Sequence, residues 1–308
     1  MAGTRSNERL GRGRHRQAGS PGAATRADGP VGQSPLGSLR MERSEKGGFR
    51  AETEAAVLAA QAGLQLALCR AGAEDIRSKG GRDLVTATDV AVEDAVRDVL
   101  GNAFKYPVVG EERGGAPEPG MPYWLVDPIC GTRNFASAIP LFAVNVALVE
   151  EDQVALGAVA DGSSGAVYCA EHPRGAFAMK DGPWQTIATS PGSQTIVVEG
   201  FPAAGERRDG AARFVAEVVR GDKWDFRCFG STLSLAYLAT GKVAACVFLA
   251  APTLHVAAGV ALAREAGATI TELSGRPWAI GSSTLVAASE AGLAVELSAV
   301  AEATRALG

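Results

Sequence analysis

The sequence lacks the features that stabilise small secreted proteins or anchor a chain in a membrane. Its five cysteines are dispersed, odd in number and without a C-x-x-C pair, which disfavours a disulfide framework or a structural zinc site. No apolar run approaches the ~20 residues of a membrane span. The N-terminus has Gly and Arg where a signal peptide would need an apolar segment. These absences predict a cytoplasmic protein without a membrane partner.

Charge is distributed unevenly along the chain. The net charge of −4 gives no indication of a nucleic-acid partner. Residues 1–50 nevertheless carry a net charge of +6, and the rest of the chain carries −10. Residues 1–48 are rich in Gly, Arg, Ser and Pro, show no hydrophobic period and are predicted to be disordered. They are interpreted as a loose tail, as sequence upstream of a start at Met41, or as a basic arm for an anionic partner.

The remainder, residues 49–308, is predicted to form one domain with two halves, about 49–185 and 186–308. Apolar residues at helical spacing predict two helices in the first half, one with Val57, Leu64 and Leu68 on a shared face. The second helix would be capped by Thr88 or Asp89, and a largely antiparallel sheet would follow it.

The second half alternates between strand and helix patterns. Strands are predicted at 195–199, 244–249 and 284–288, and helices at 205–220, 231–240, 255–266 and after a cap at Ser289. Such alternation is typical of layered α/β packing.

Carboxylates stand at the ends of two apolar stretches. Asp127 follows the strand-like run at 123–126, and Glu111 follows the apolar stretch at 106–109. Carboxylate oxygens at a strand end, beside a turn that exposes backbone carbonyls, suit a hard cation. Asp89 could orient the hydroxyl of Thr132, and that hydroxyl could orient a water.

Three motifs connect these residues. W-x-x-D-P-x-x-G-T-x-N-F runs from Trp124 to Phe135, D-x-V-T-x-x-D precedes it at 83–89, and G-E-E stands at 110–112. Together they resemble the inositol monophosphatase family over roughly residues 50–290. The resemblance implies a layered α/β/α/β/α sugar-phosphatase-like fold, a homodimer, and magnesium-dependent hydrolysis of phosphate monoesters.

The resemblance also implies a role for each matching residue. The ligands of a first Mg²⁺ would be Glu111, Asp127 and the backbone carbonyl of Ile129. Asp89 and Thr132 would activate the attacking water. The phosphate or substrate contacts would be Gly131, Thr132, Arg133, Gly230 and Ser231.

Three positions depart from the family pattern. The second Asp of D-P-x-D-G-T is Cys130, the W-D pair near the A-A-G segment is Leu254-His255, and a sugar-binding Glu is replaced by Phe248. The two missing carboxylates would belong to a second metal site. A thiol and an imidazole suit a softer metal better than Mg²⁺, and His255 could instead act as a general acid.

Three functions remain open from the sequence. The chain could hydrolyse a small phosphorylated metabolite other than inositol phosphate, with one Mg²⁺ and an altered second metal site. It could be repurposed for non-hydrolytic chemistry on a more apolar substrate, with Cys130 and His255 as catalytic or soft-metal groups. It could also be an inactive binding or regulatory homologue.

Overall fold

Two sheets separated by a pair of helices organise the chain. The computed structural model describes residues 48–70, 76–80, 83–202 and 204–304, with the backbone alone for 76–80 and 83–85. Apart from Gly48, the predicted disordered tail lies outside the described residues. Among the described helices, none is both long and apolar enough to cross a bilayer.

Two helices cover the outer face of the first sheet. They are α1 (Ala51–Cys69) and α2 (Ala87–Ala103), and between them lies an antiparallel pair, β1 (Ile76–Gly80) and β2 (Asp83–Thr86). The predicted apolar face of α1 buries Val57 and Leu64, whereas Leu68 near the helix end is 42% exposed.

The first sheet has seven strands in the order β3-β4-β5-β6-β7-β8-β9. β3 and β4 are parallel, and every other neighbouring pair is antiparallel, as the largely antiparallel prediction states. The strands are β3 (Val108–Gly110), β4 (Tyr123–Cys130), β5 (Ala143–Glu150), β6 (Gln153–Asp161), β7 (Val167–Glu171), β8 (Gly175–Met179) and β9 (Gln185–Ile187), with α3 (Thr132–Ala136) after β4.

The second sheet has five strands in the order β11-β10-β12-β14-β13. Its strands are β10 (Thr195–Glu199), β11 (Asp225–Arg227), β12 (Ala245–Phe248), β13 (Thr269–Thr271) and β14 (Leu285–Ala288). The helices of this half are α4 (Glu206–Arg220), α5 (Leu233–Ala239), α6 (Thr253–Glu265) and α7 (Ala291–Ala303). The predicted strand at 195–199 is confirmed to the residue, whereas the helices predicted from 231 and 255 begin at Leu233 and Thr253.

Three apolar cores hold these layers together. One lies between α1, α2 and the first sheet, one surrounds α5 and α6 between the two sheets, and one joins the second sheet to α4 and α7. The order of layers is therefore α/β/α/β/α, which confirms the predicted fold. The middle helices contact both sheets, so they set the distance between them.

Two predicted helix caps are wrong. α2 begins after Thr86, whose hydroxyl accepts hydrogen bonds from the backbone N–H groups of Thr88 and Asp89. The Asp89 carboxylate in turn accepts from the Thr86 backbone N–H, which completes a capping box. The N-cap of α7 is Glu290, without a side-chain cap bond, and not Ser289. Capping distances depend on the backbone path, which composition alone does not give.

A backbone-to-backbone contact joins the first sheet to α6. A Cβ added at Gly157 of β6 would lie 2.5 Å from the carbonyl oxygen of Ala258, closer than any real contact. We expect Gly157→Ala to lower the free energy of unfolding by about 1–3 kcal/mol, because the helix must move away from the sheet. Urea denaturation measures this change.

Gly101→Ala is the matched control. A Cβ at Gly101 in α2 meets nothing within 4 Å, so the change should be neutral or stabilise the helix by up to about 1 kcal/mol. Equal destabilisation by both substitutions would contradict the close contact at Gly157.

Candidate active site

Two carboxylates meet where the parallel pairing of β3 with β4 ends. β4 itself continues to Cys130, so Asp127 lies within the strand, whereas the sequence pattern placed it after the end of the strand. Gly110 pairs with Val126, and the backbone N–H of Glu111 donates to the Val126 carbonyl over 3.2 Å. Glu111 and Asp127 are therefore the next residues of two adjacent parallel chains. The structure brings together these two predicted ligands, with Asp127 fully buried and Glu111 partly buried.

His255 joins this pair from the first turn of α6. Its Nδ1 lies 2.8 Å from Oδ2 of Asp127 and 3.9 Å from Oε2 of Glu111. One potential ligand atom from each of the three side chains lies within 4.8 Å of the others. Two carboxylates and an imidazole form a donor set suited to divalent transition ions as well as to harder cations.

The second oxygen of Asp127 fits the same interpretation. Oδ1 is buried and has no hydrogen-bond partner among the described residues. A buried, partnerless carboxylate oxygen is costly, and a bound cation would satisfy it. Glu111, Asp127 and His255 would hold that ion, whereas the resemblance predicted Glu111, Asp127 and the backbone carbonyl of Ile129.

The candidate water-orienting pair lies beside this group. The hydroxyl of Thr132 is 3.1 Å from Oδ1 of Asp89 and 3.0 Å from the carbonyl oxygen of Ile129. Asp89 is fully buried; its burial raises the pKa of the carboxyl, against the hydrogen bonds from Thr86 and Thr132 that lower it. The hydroxyl can donate to one of these acceptors while its lone pairs orient a water.

A β-bulge shapes the segment that carries these groups. The pairing of β4 with β5 shifts register between Asp127 and Cys130, and such a shift re-aims the side chains around it. Gly131 follows with φ of +108°, and a Cβ there would lie 2.8 Å from the carbonyl oxygen of Leu141. Glycine is therefore required at the turn into α3.

The Cys130 sulfur is held by Thr232. Its Sγ accepts hydrogen bonds from the backbone N–H and the hydroxyl of Thr232, at 3.3 and 3.0 Å. Loss of water around the sulfur, and then the charge of Asp127, raises the pKa of the thiol well above its usual value. The cluster of possible ligand atoms contains His255 together with Glu111 and Asp127, and does not include Cys130.

The other residues predicted to contact the substrate differ in their exposure and in the groups that they contact. Ser231 is buried and its hydroxyl donates to the carbonyl of Cys130 over 2.8 Å. Gly230 and Arg133 are exposed near the same segment. Phe248 is only 4% exposed and packs in the core between the sheets, so its ring is not presented to a ligand in this structure.

Sequence reasoning missed a buried carboxylate that supports Glu111. Glu93 of α2 is fully buried and accepts the backbone N–H groups of Glu112, at 2.6 Å, and Arg113, at 3.0 Å. Nε of Arg97 also donates to it over 2.8 Å. Its position one residue after the buried Val92, within an apolar helix face, was the available signal.

Replacing this carboxylate should loosen the turn that carries Glu111. We expect Glu93→Gln to lower the free energy of unfolding by about 1–3 kcal/mol, because the new amide group presents N–H donors to N–H donors. Asp94→Asn is the control on the same helix. Asp94 forms an exposed ion pair with Arg113, and such pairs contribute little. Similar urea midpoints for the two variants would contradict the role of Glu93.

Known proteins resemble this chain over nearly all of its described part. The model of the inositol monophosphatase family matches residues 50–306. An inositol-1-monophosphatase from Mesorhizobium japonicum is 32% identical over 217 residues, which cover 69% of this chain and 80% of the relative. A histidinol-phosphatase from Mycobacterium tuberculosis is 33% identical over 218 residues, covering 68% and 83%.

The fold has a counterpart among solved structures. The extragenic suppressor protein suhB from Bartonella henselae superposes with a TM-score of 0.75 at 24% identity, covering 82% of this chain and 98% of that chain. The layered architecture, the family match and the motifs from Trp124 to Phe135 agree with one another. This chain belongs to the inositol monophosphatase family.

Proposed function

We propose that this chain hydrolyses the phosphate monoester of a small metabolite other than inositol phosphate. The observation that carries the proposal is the buried oxygen of Asp127 without a hydrogen-bond partner in the described chain. It lies beside a second carboxylate and an imidazole. Membership in a phosphatase family, with relatives named for two different phosphorylated substrates, supports the reaction class.

One divalent cation fits the arrangement, held by Glu111, Asp127 and the backbone carbonyl of Ile129. A cation in such a site stabilises charge on phosphoryl oxygens and makes a bound water more acidic. The chain itself would orient that water through the hydroxyl of Thr132, which Asp89 positions. Gly131 and Thr132 are the positions that the family resemblance assigns to the phosphate.

The donor set at the second metal position is altered. Cys130 and His255 replace two carboxylates, so the site has lost two negative charges and with them much of its attraction for a second Mg²⁺. The Sγ of Cys130 is engaged by Thr232, and the residues present do not fit a second hard cation. We propose His255 as the third side-chain ligand of the single ion, which favours Mn²⁺ or Zn²⁺ over Mg²⁺.

The substrate proposal rests on Phe248. Where the family resemblance implies a carboxylate for sugar hydroxyls, this chain has a phenyl ring that is 4% exposed. A buried ring cannot accept a hydrogen bond from a polyol, which favours a metabolite with fewer hydroxyl groups. Homodimerisation and a cytoplasmic location remain predictions.

A panel of phosphate esters tests the reaction. We expect purified protein to release phosphate from at least one sugar, histidinol or nucleotide monophosphate, faster than from inositol monophosphate and faster with Mn²⁺ than with Mg²⁺. Asp127→Asn should remove most of this activity. Asp161→Asn, a buried aspartate of β6 that accepts from Ser163 and Ser164, should retain it. Absence of phosphate release with every ester and metal would refute the proposal.

A double substitution tests the altered positions. Cys130→Asp combined with His255→Asp should raise the affinity for Mg²⁺ by about tenfold or more, since two hard anionic ligands are added, and should lower the preference for Mn²⁺. Titration calorimetry measures both affinities, with Cys130→Ser as the control that adds no charge. Unchanged affinities would show that these positions do not select the metal.

The same double variant separates the proposal from its main alternative. A repurposed, non-hydrolytic enzyme would use Cys130 or His255 directly. The 2.8 Å contact between Nδ1 of His255 and Oδ2 of Asp127, which could orient an imidazole for proton transfer, is the observation that favours it. In that case the variant would lose the native activity without gaining hydrolysis supported by Mg²⁺. A gain in hydrolysis would instead favour the phosphatase.

A further inference from the structure

A buried glutamate lies outside the cluster that contains Asp127. Glu199 is the last residue of β10 and is 3% exposed. Its carboxylate accepts the backbone N–H of Phe229 at 2.7 Å and that of Gly230 at 3.0 Å, and the Sγ of Cys228 lies 3.6 Å away. Within the part of the chain that the structure describes, neither Lys nor Arg pairs with it. Its contacts are therefore donors from one turn.

That turn is bent around the carboxylate. Gly230 has φ of +66°, which belongs to the left-handed region where glycine is favoured. Successive backbone N–H groups in such a turn converge on one point and form an anion-binding concavity. In this chain the concavity at residues 229–230 is filled by the chain's own Glu199.

The other side of the turn contacts the segment after Asp127. The hydroxyl of Ser231 donates to the carbonyl of Cys130, and Thr232 donates to the Cys130 sulfur. The side-chain amide of Asn134 donates to the carbonyl of Phe229 over 2.6 Å. The turn is thus fastened to Glu199 on one side and to residues 130–134 on the other.

We infer that Glu199 is a positioning residue: its carboxylate holds the turn at Phe229–Ser231 in the shape that places Ser231 and Thr232 against Cys130. The inference deepens the proposed function, since residues 130–132 would hold the phosphate. The hydrogen bonds that support the inference do not depend on whether the chain hydrolyses a phosphate ester. If Glu199 loses its negative charge, we expect the turn at Phe229–Ser231 to loosen. The contacts of Ser231 and Thr232 with Cys130 would weaken as a consequence.

Phe248 is part of the same arrangement. It pairs with Glu199 across the parallel strands β10 and β12, so the two side chains leave the same face of the sheet. A carboxylate at Phe248 would place a second negative charge beside the first. The phenyl ring adds no charge there, and both side chains are at most 4% exposed.

Burial raises the pKa of Glu199 to about 7, against the hydrogen bonds from the turn that lower it. The titratable groups that face it are two thiols. Burial and then the Glu199 charge raise the pKa of Cys228 to about 11, and burial raises the pKa of Cys246 on β12 further. Both thiols stay neutral near pH 7, so Glu199 is the group that changes charge there.

Ionisation of Glu199 changes the local order of the turn and the global stability of the fold in opposite directions. Because the pKa is raised above the ~4.3 of an unfolded glutamate, the contribution of Glu199 to folding is fully present below about pH 4.3 and is lost as the pH rises through about 7. The hydrogen bonds of the turn change in the opposite direction. A protonated Glu199 carboxyl places its own O–H donor among the backbone N–H donors of the turn. It therefore holds the turn more weakly below pH 7.

Hydrogen exchange followed by mass spectrometry tests the inference. Amide protection of the peptide that contains residues 229–234, corrected for the intrinsic pH dependence of exchange, should rise severalfold between pH 5.5 and 8.5. In Glu199→Gln the protection should be lower at pH 8.5 and should not change with pH. Thermal unfolding of each protein shows whether the loss is local.

Glu171→Gln is the matched control. Glu171 is 4% exposed in β7 of the first sheet and accepts from the Thr53 hydroxyl and the Arg50 backbone, far along the chain from the turn. This variant should leave the pH dependence of peptide 229–234 as in the wild type. The wild-type pH series carries the test by itself if the Glu199 variant does not fold.

Two results would overturn the inference. One is wild-type protection of peptide 229–234 that does not change with pH. The other is protection in Glu199→Gln equal to that of the wild type at pH 8.5. Neither measurement depends on phosphate release, so a chain that fails to hydrolyse any ester still tests the role of Glu199.

Discussion

Two carboxylates brought together where the parallel pairing of β3 with β4 ends are the constraint on which the rest of the site depends. Asp127 is fully buried and lies in one ligand group with Glu111, so their mutual repulsion is poorly screened by water. A positive charge between the two carboxylates would offset this repulsion. In the structure the ring of His255 contacts both, and a proton or a cation at this point would relieve the same repulsion.

This requirement explains why a change of ligand type can be tolerated. The usual carboxylate at His255 would add a third negative charge, which only bound cations can balance. An imidazole adds none, so the group is less repulsive when no ion is bound. The cost is a weaker attraction for hard cations. Thr132 and Asp89, the pair proposed to orient a water, contact each other and are not among the exchanged residues.

The sequence predicted those features that depend on local pattern. The strand at 195–199 and the layered architecture follow from periodicity and the family motifs, and the meeting of Glu111 with Asp127 follows from the resemblance. The missed strands β8 and β9 are short and carry weak alternation. The direction of the Cys130 side chain could not be predicted, because it depends on the register shift of β4 against β5. Glu199 follows an apolar run in the sequence, as Asp127 does, yet only the distant turn at Phe229 shows which groups its carboxylate binds.

The contact of α6 with the first sheet has a consequence for how this site can diverge. At Gly157 the helix meets β6 backbone to backbone, with no side chain between them to compress or extend. The Cα of His255 is thereby held at a fixed distance from the strand that carries Asp127. Because the helix is held in place, the length and the donor atom of the side chain at residue 255 decide which chemical group lies beside Asp127. The scaffold can exchange one ligand chemistry for another without any shift of its main chain.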